Sequence, residues 1–408
     1  MKILIYGLNY APESTGIGSF TGQMAEWLAA RGHQVQVITT APHYPDWQFR
    51  QGEGWRYVTE SIGGVHVSRC PMWLPRQLTP RRRVIACCTF VVGSLPVLIR
   101  ALLRRPDVLV VIKPTLFSVP PAFLFGRMFR VPVWLHIQDF EILAASATGQ
   151  LRDSLLLRWA EAFEGWLMRR AQWISTLTHE MDRRLADLRV KSERRALLPN
   201  WVNCDAIHPL SRPSRLRAEL GIGRDEIVLL YSGSFGLKHG LDLIIEAAHA
   251  LRNESQLRFV MCGAGLCKSA LQASAADLPG MIWLPLQPVE SLNELLNLAD
   301  IHLLPQRAEI SGAVLPSKLT GMLASGRPVV ASAKQDSELA NIVAGAGITV
   351  PPGDVGALTA AIRELAVDAP RRQRLGTAGR RYAEAHFSRD VILTRLAAAL
   401  QKVKGTDS

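Results

Sequence analysis

The run QRAEISGAVLPSKLTGMLASGRPVVAS, residues 306–332, decides how this chain is read. It lies between two strand-like runs at 301–305 and 328–331. Between them come a loop with Ser311 and Gly312, then a short helix through Leu319, Met322 and Leu323. Pro316 suits the first helical position, because its missing N–H would be unpaired there in any case. That puts Ser317 and Lys318 in the first turn, where free backbone N–H groups and the helix dipole favour an anion. A hydroxyl, a cation and free amides at one helix start suit a phosphate. The same residues also describe an ordinary connection with a solvated lysine, and the stretch alone does not choose.

Working outward, further strands are expected at 227–232, 257–262 and 282–285, each followed by a helical pattern. The first of them runs into Gly233-Ser234-Phe235-Gly236-Leu237-Lys238-His239-Gly240. A helix is expected from Ser337 with Glu338 in its first turn, and helices close the chain at 354–403. The N-terminal half repeats the alternation, with strands at 3–6, 35–39, 108–112, 131–137 and 173–177. The helix after the first strand carries Phe20, Met24, Trp27 and Leu28 on one stripe and stops at Gly32. Strands alternating with helices twice over predict an α/β protein of two doubly wound, Rossmann-like domains facing an interdomain cleft. The domains are set at 1–204 and 205–386, with a final helix at 387–403 expected to pack back onto the first. The polar, proline-containing segment 205–214 fits a linker.

Composition bounds the function. The chain has 408 residues, 48% hydrophobic and 20% charged, with a net charge of +12. This is a packed globular protein with a bias toward anionic partners. Six cysteines contain no C-x-x-C pair and read as buried free thiols. The opening MKILIYGLNYAPE is too short an apolar run for a signal peptide and reads as a core strand. The first βα loop holds Gly16 and Gly18, which would admit a phosphate or a sugar, or serve only a tight turn. It is not G-x-G-x-x-G, and the second strand ends in Thr39-Thr40 without the acid that holds a nicotinamide cofactor's ribose.

Three further stretches carry candidate chemistry. The segment 41–64 reads as a long loop in which His43, Tyr44, Asp46 and Trp47 line a sugar site or pack the loop. His136 ends the strand at 131–137, followed by Gln138, Asp139 and Glu141; carboxyl ends of strands in such sheets hold ligands. Glu161 and Glu164, on a helix at 151–170, read as a solvated face. The region 76–105 sets arginines at 76, 81–83, 100, 104 and 105 around an apolar run broken by Pro96. It reads as an interfacial membrane helix, a buried core helix or a marginal transmembrane span. No nucleic-acid reading motif accompanies the arginines, and nucleic acid is not expected as a partner.

The opening MKILIYGLNYAPESTGIGSFTGQMAEWLAARGHQVQVIT, then LHIQDFE, LPNWVN, YSGSFGLKHGL and VLPSKLTGMLASGRPVVAS, carry a resemblance over nearly the whole chain. It resembles the family-4 retaining glycosyltransferases of the GT-B fold, nearest the colanic-acid-type exopolysaccharide (fucosyl) transferases. The resemblance implies an N-terminal acceptor-side domain and a C-terminal domain that binds a nucleotide-sugar. By position, Gly16 and Gly18 lie at the donor phosphate or sugar and His136 beside the transferred sugar. Lys238, Ser317 and Lys318 contact the diphosphate, Gly233 and Ser234 line the donor site, and Glu338 lies near it. His43, Tyr44 and Asp139 fall on the acceptor side. Where relatives carry an arginine, this chain has Ser234; where they carry two glutamates seven residues apart, it has Ala313 and Gly321, and Glu309 is the nearest substitute.

Departure of a sugar from a diphosphate leaves negative charge on the phosphate, which Lys238, Lys318 and helix-start amides would stabilise. No Asp-x-Asp is present to hold a metal, and no metal or other cofactor is expected. The resemblance implies retention by same-face attack and GDP- or UDP-linked donors; the arginine-flanked apolar stretch 76–105 leads to the expectation of a lipid-linked saccharide acceptor and a place on the inner face of the plasma membrane. A nucleotide-sugar epimerase of the same fold and a non-catalytic membrane-associated binding protein are the rival readings.

Overall fold

In the computed structural model the described residues are 1–13, 16–44, 47–49, 52–75, 79–140, 155–236, 239–308 and 315–405. Lys238, Glu309, Ala313, Asp46, Glu141 and Arg76 fall outside them. The chain divides into two compact units, Met1–Pro199 with Leu393–Ser408, and Asn200–Ile392.

The first unit is built on an eight-stranded sheet of order β3-β4-β2-β1-β5-β6-β7-β8. Its strands are β1 Lys2–Tyr6, β2 Gln34–Thr39, β3 Val58–Ile62, β4 Val65–Arg69, β5 Val108–Lys113, β6 Val133–Ile137, β7 Trp173–Thr176 and β8 Arg195–Leu197. All pairings are parallel except β3 with β4. Helices α1 Gly16–Ala30, α2 Pro80–Leu103, α3 Val119–Phe129, α4 Leu155–Arg170 and α5 His179–Asp187 cover it. Strand β5, VLVVIK, is buried at every position, as a central parallel strand between two helical layers must be. One face of the sheet, through Leu4, Tyr6, Leu109, Val111, Leu135 and Ile137, packs against Phe90 and Leu98 of α2 and Ala122 of α3.

The expected long loop 41–64 is corrected at its end. Residues Val58–Ile62 form a strand that turns at Gly63-Gly64 and pairs antiparallel with β4. Its half-exposed edge position explains why no apolar run marked it. Pro96 does not break α2, which runs 24 residues from a Thr79 cap, its hydroxyl accepting from Arg82 N–H at 3.3 Å. Pro96 lies on the exposed side of the helix and takes one N–H out of its hydrogen-bond ladder.

The second unit carries a six-stranded, all-parallel sheet of order β11-β10-β9-β12-β13-β14. The strands are β9 Ile227–Ser232, β10 Leu257–Cys262, β11 Met281–Leu284, β12 Ile301–Leu304, β13 Val329–Ser332 and β14 Gly347–Val350. Helices α6 Arg215–Glu219, α7 Asp242–Ala250, α8 Lys268–Ser274, α9 Leu292–Leu298, α10 Lys318–Ala324, α11 Glu338–Val343, α12 Val355–Val367 and α13 Ala369–His386 alternate with them or close the unit. A last helix, α14, runs Arg389–Gly405. The segment 205–214 is no free linker. Asn297 of α9 accepts from Leu210 N–H and donates to the His208 carbonyl, and Arg212 pairs with Glu294. In both sheets the order reverses at one strand, β1 beside β2 and β5, β9 beside β10 and β12. Ligands of such sheets bind at the carboxyl ends of the strands around that reversal.

Candidate active site

In the second unit the reversal point is made by β9 and by the start of α10. Tyr231 on β9 is fully buried, and burial raises its phenol well above the usual range, so it stays neutral. Its hydroxyl accepts from Lys318 Nζ at 2.6 Å and donates to the Ser234 carbonyl at 2.7 Å. The same ammonium stands 4.1 Å from the Tyr231 ring centroid. Gly233 follows with φ of +143°, and a Cβ there would stand 2.6 Å from Lys318 Nζ. The next turn interlocks with it, since a Cβ on Gly263 would lie 1.9 Å from the Gly233 carbonyl oxygen. Gly233, Ser234 and Lys318 are thus brought together around a tyrosine that the sequence reading passed over. Its only signal was a polar-tipped aromatic at the carboxyl end of an otherwise aliphatic strand.

The details of α10 differ from expectation. The helix starts at Lys318, with Ser317 as its cap residue and Pro316 just outside. Ser317 is exposed and its hydroxyl makes no cap bond. Ser234 is exposed and its Oγ lies 3.0 Å from His239 Nε2. Gly321 faces inward, its Cβ position 3.2 Å from Leu296 Cδ1, so this turn packs on α9. Glu338 opens α11 behind the Ser337 cap, which accepts from Ala340 N–H. Its charge helps burial to raise the Tyr382 phenol.

In the first unit His136 stands at the end of β6, buried, directly opposite Ser175 of β7. Its Nδ1 is 2.8 Å from Ser175 Oγ and its Nε2 3.0 Å from the Gln138 amide. Ser175 Oγ also accepts from Trp134 Nε1–H at 2.7 Å. Burial lowers the His136 pKa to about 4, so the ring is neutral at ordinary pH. Asp139 follows, its carbonyl 3.4 Å from Lys113 Nζ.

That lysine ends β5 and is fully buried, paired with the buried Glu164 of α4. The solvated-face reading of Glu164 is therefore corrected; its neighbour Glu161 is half-exposed. The sequence offered only a carboxylate on a helix, and packing against β5 brought Lys113 to it.

The glycine loop also resolves differently. Gly16 and Gly18 begin α1, and a Cβ on Gly18 would meet Glu13 Oε2 at 2.3 Å. Buried Glu13 accepts from the backbone N–H groups of His43 and Tyr44 at 3.2 and 3.1 Å. His43 itself is 3% exposed, against the rings of Trp47 and Phe49. Glu13, unmarked in the sequence, joins the 41–49 loop to the glycines.

Helix α2 buries Phe90, Ser94, Leu98 and Leu102 and exposes Val84, Ile85, Val92 and Leu103. By length and composition it is the one described helix able to cross a membrane, but one side is packed into the first unit's core. All six cysteines are free thiols. Among the described residues no three His, Cys, Asp or Glu side chains converge.

Comparison with known proteins places the chain. A family described as Glycosyl transferase 4-like domain matches residues 15–201, and one described as Glycosyl transferases group 1 matches residues 214–382. The colanic acid biosynthesis glycosyl transferase WcaI of Escherichia coli is 36% identical over 404 residues, 96% of this chain and 98% of that protein. Sucrose-phosphate synthase from Thermosynechococcus elongatus superposes with a TM-score of 0.79 at 16% identity, covering all of both chains. HepE of Anabaena, solved in complex with UDP and glucose, does so at 0.71 and 15% identity, covering 98% of this chain and 99% of that one. The chain belongs to the GT-B glycosyltransferases, in the family-4 group that includes the colanic acid biosynthesis enzyme.

Proposed function

We propose that this enzyme transfers a sugar, with retention, from a GDP- or UDP-linked donor to a lipid-linked saccharide in exopolysaccharide synthesis. The observation that carries the reading is Lys318 held over Gly233 by Tyr231 at the reversal point of the second sheet. A fixed ammonium beside bare glycine backbone suits the charge that appears on a leaving diphosphate. The bond from the anomeric carbon to the phosphate oxygen breaks with its electron pair going to that oxygen. The acceptor hydroxyl oxygen bonds to the same face of the carbon, and its proton passes to the departing phosphate. Lys318 takes the phosphate charge, with Lys238, Ser317 and Ser234 as further diphosphate contacts; His136 meets the sugar; Glu309 and Glu338 are the candidate carboxylates for the nucleoside. Gly16 and Gly18 border the sugar, with His43, Tyr44 and Asp139 toward the acceptor. No metal takes part, so activity should survive EDTA.

Thermal shift against GDP, UDP, dTDP and NAD, on the protein and on Lys318→Ala, tests this. A ligand that binds only the folded state raises the melting temperature. Stabilisation by one nucleoside diphosphate, lost in the variant, is the expected result. Stabilisation by NAD alone would overturn it, and silence from every ligand would favour the non-catalytic reading.

The acceptor's lipid is met at an anionic inner leaflet through the exposed apolar side of α2 and Arg81, Arg82 and Arg83, themselves exposed. Flotation with anionic vesicles checks it: Arg81→Ser, Arg82→Ser and Arg83→Ser together should abolish binding, and unchanged flotation would sink the idea.

A further inference from the structure

We propose that Trp134 and Ser175 act as positioning residues that fix the tautomer of His136, leaving its Nε2 as the nitrogen that carries hydrogen and presents it to a sugar oxygen. This rests on the reading above that His136 meets the transferred sugar.

The argument is a proton count. Trp134, His136 and Ser175 project from one side of adjacent parallel strands, with Ser175 directly opposite His136 in register. An indole N–H is only a donor, so Ser175 Oγ must accept from Trp134 at 2.7 Å. The hydroxyl's own hydrogen then has one recorded partner among the described residues, His136 Nδ1 at 2.8 Å. If Nδ1 carried the hydrogen instead, Ser175 Oγ would accept twice and its own proton would be left in a site that is 0% exposed. An orphaned buried donor is disfavoured, because it gives up its hydrogen bond to water and gains none in return.

With Nδ1 an acceptor, Nε2 bears the hydrogen. The atom 3.0 Å from it is the Gln138 side-chain nitrogen, itself a donor, and the amide oxygen has the same shape and takes its place on a half-turn of the group. Turned so that the oxygen faces Nε2, the amide accepts, and every hydrogen in the chain from indole to amide has an acceptor. Gln138 is 8% exposed and directly follows the end of β6, so a sugar hydroxyl that displaces its oxygen inherits a pre-aimed donor. Burial keeps the ring neutral, so the position of that single hydrogen decides whether His136 can donate toward the sugar or only accept from it.

The full-length chain, labelled with nitrogen-15 histidine, gives the tautomer directly from long-range proton–nitrogen correlations, with His136→Gln assigning the signal. The expected spectrum is neutral with hydrogen on Nε2; hydrogen on Nδ1 in the unaltered protein overturns the proposal without any variant. Ser175→Ala should mix the tautomers and lower kcat about tenfold, with donor KM changed less than about twofold, in the range of lost outer-shell partners elsewhere. Ser175→Thr, which keeps the hydroxyl, should restore both readouts. An Ala variant with the parent tautomer and the parent kcat would also overturn it. Unchanged kcat in His136→Ala would instead remove the sugar-facing role of His136, while the tautomer measurement would still decide the relay.

Discussion

Two lysines stand at the carboxyl ends of the two sheets' central strands and are treated oppositely. Lys113, at the end of β5, is wholly buried and paired with buried Glu164, so its charge is cancelled inside the fold. Lys318 is half-buried and is held by Tyr231 through a neutral hydroxyl and a ring face. A carboxylate partner sets an opposite charge against the cation; a neutral phenol fixes where the cation sits. Two lysines, each within two residues of a proline, therefore yield a structural strut in one unit and a candidate anion site in the other.

The comparison breaks most visibly at Lys113. Lys113→Met should strand the Glu164 carboxylate and cost about 3–5 kcal/mol in denaturant unfolding. The double change Lys113→Met with Glu164→Leu should recover most of that, because apolar replacement of both partners removes the buried charge. Equal losses in single and double variants would show that packing, not charge cancellation, is what the pair supplies.

Acid should act next, and in the first unit. His136 sits at about 4 when folded against 6.5 for an ordinary histidine, so the unfolded chain binds the extra proton between those values. Stability contributed at this site is therefore full above about pH 6.5 and falls as pH drops toward 4. His136→Gln should flatten that part of a melting-temperature profile.

At Lys318 the effects should be smaller in stability and larger in ligand binding. Gly233→Ala puts a methyl 2.6 Å from Nζ at a φ of +143°. It should cost about 1–3 kcal/mol of stability, the scale of local backbone strain, and should abolish the nucleoside diphosphate thermal shift. Tyr231→Phe keeps the ring and drops the hydroxyl. It should weaken donor binding by about fivefold, near the worth of one hydrogen bond of about 1 kcal/mol, with calorimetry as the readout.

Much of this was legible. The two βα alternations and His136 at a strand end follow from periodicity and from where parallel sheets bind ligands, whereas Lys318 and Gly233 were assigned to one donor site only by the resemblance. What was not legible has a common cause. Tyr231, Ser175, Glu13 and Glu164 meet their partners at sequence separations of 87, 39, 31 and 51 residues. No local pattern encodes such distances, and Glu164 on its helix looked like any solvated acid.

The sequence by itself determined the two doubly wound units, because strand and helix periods are local and each glycine or cap residue acts on its own neighbourhood. The tertiary structure alone decided which lysine is buried against a carboxylate, which one is set on a tyrosine, and which way a buried histidine is held. Those outcomes depend on what faces a polar group once water is excluded, and the facing groups arrive from other strands and helices.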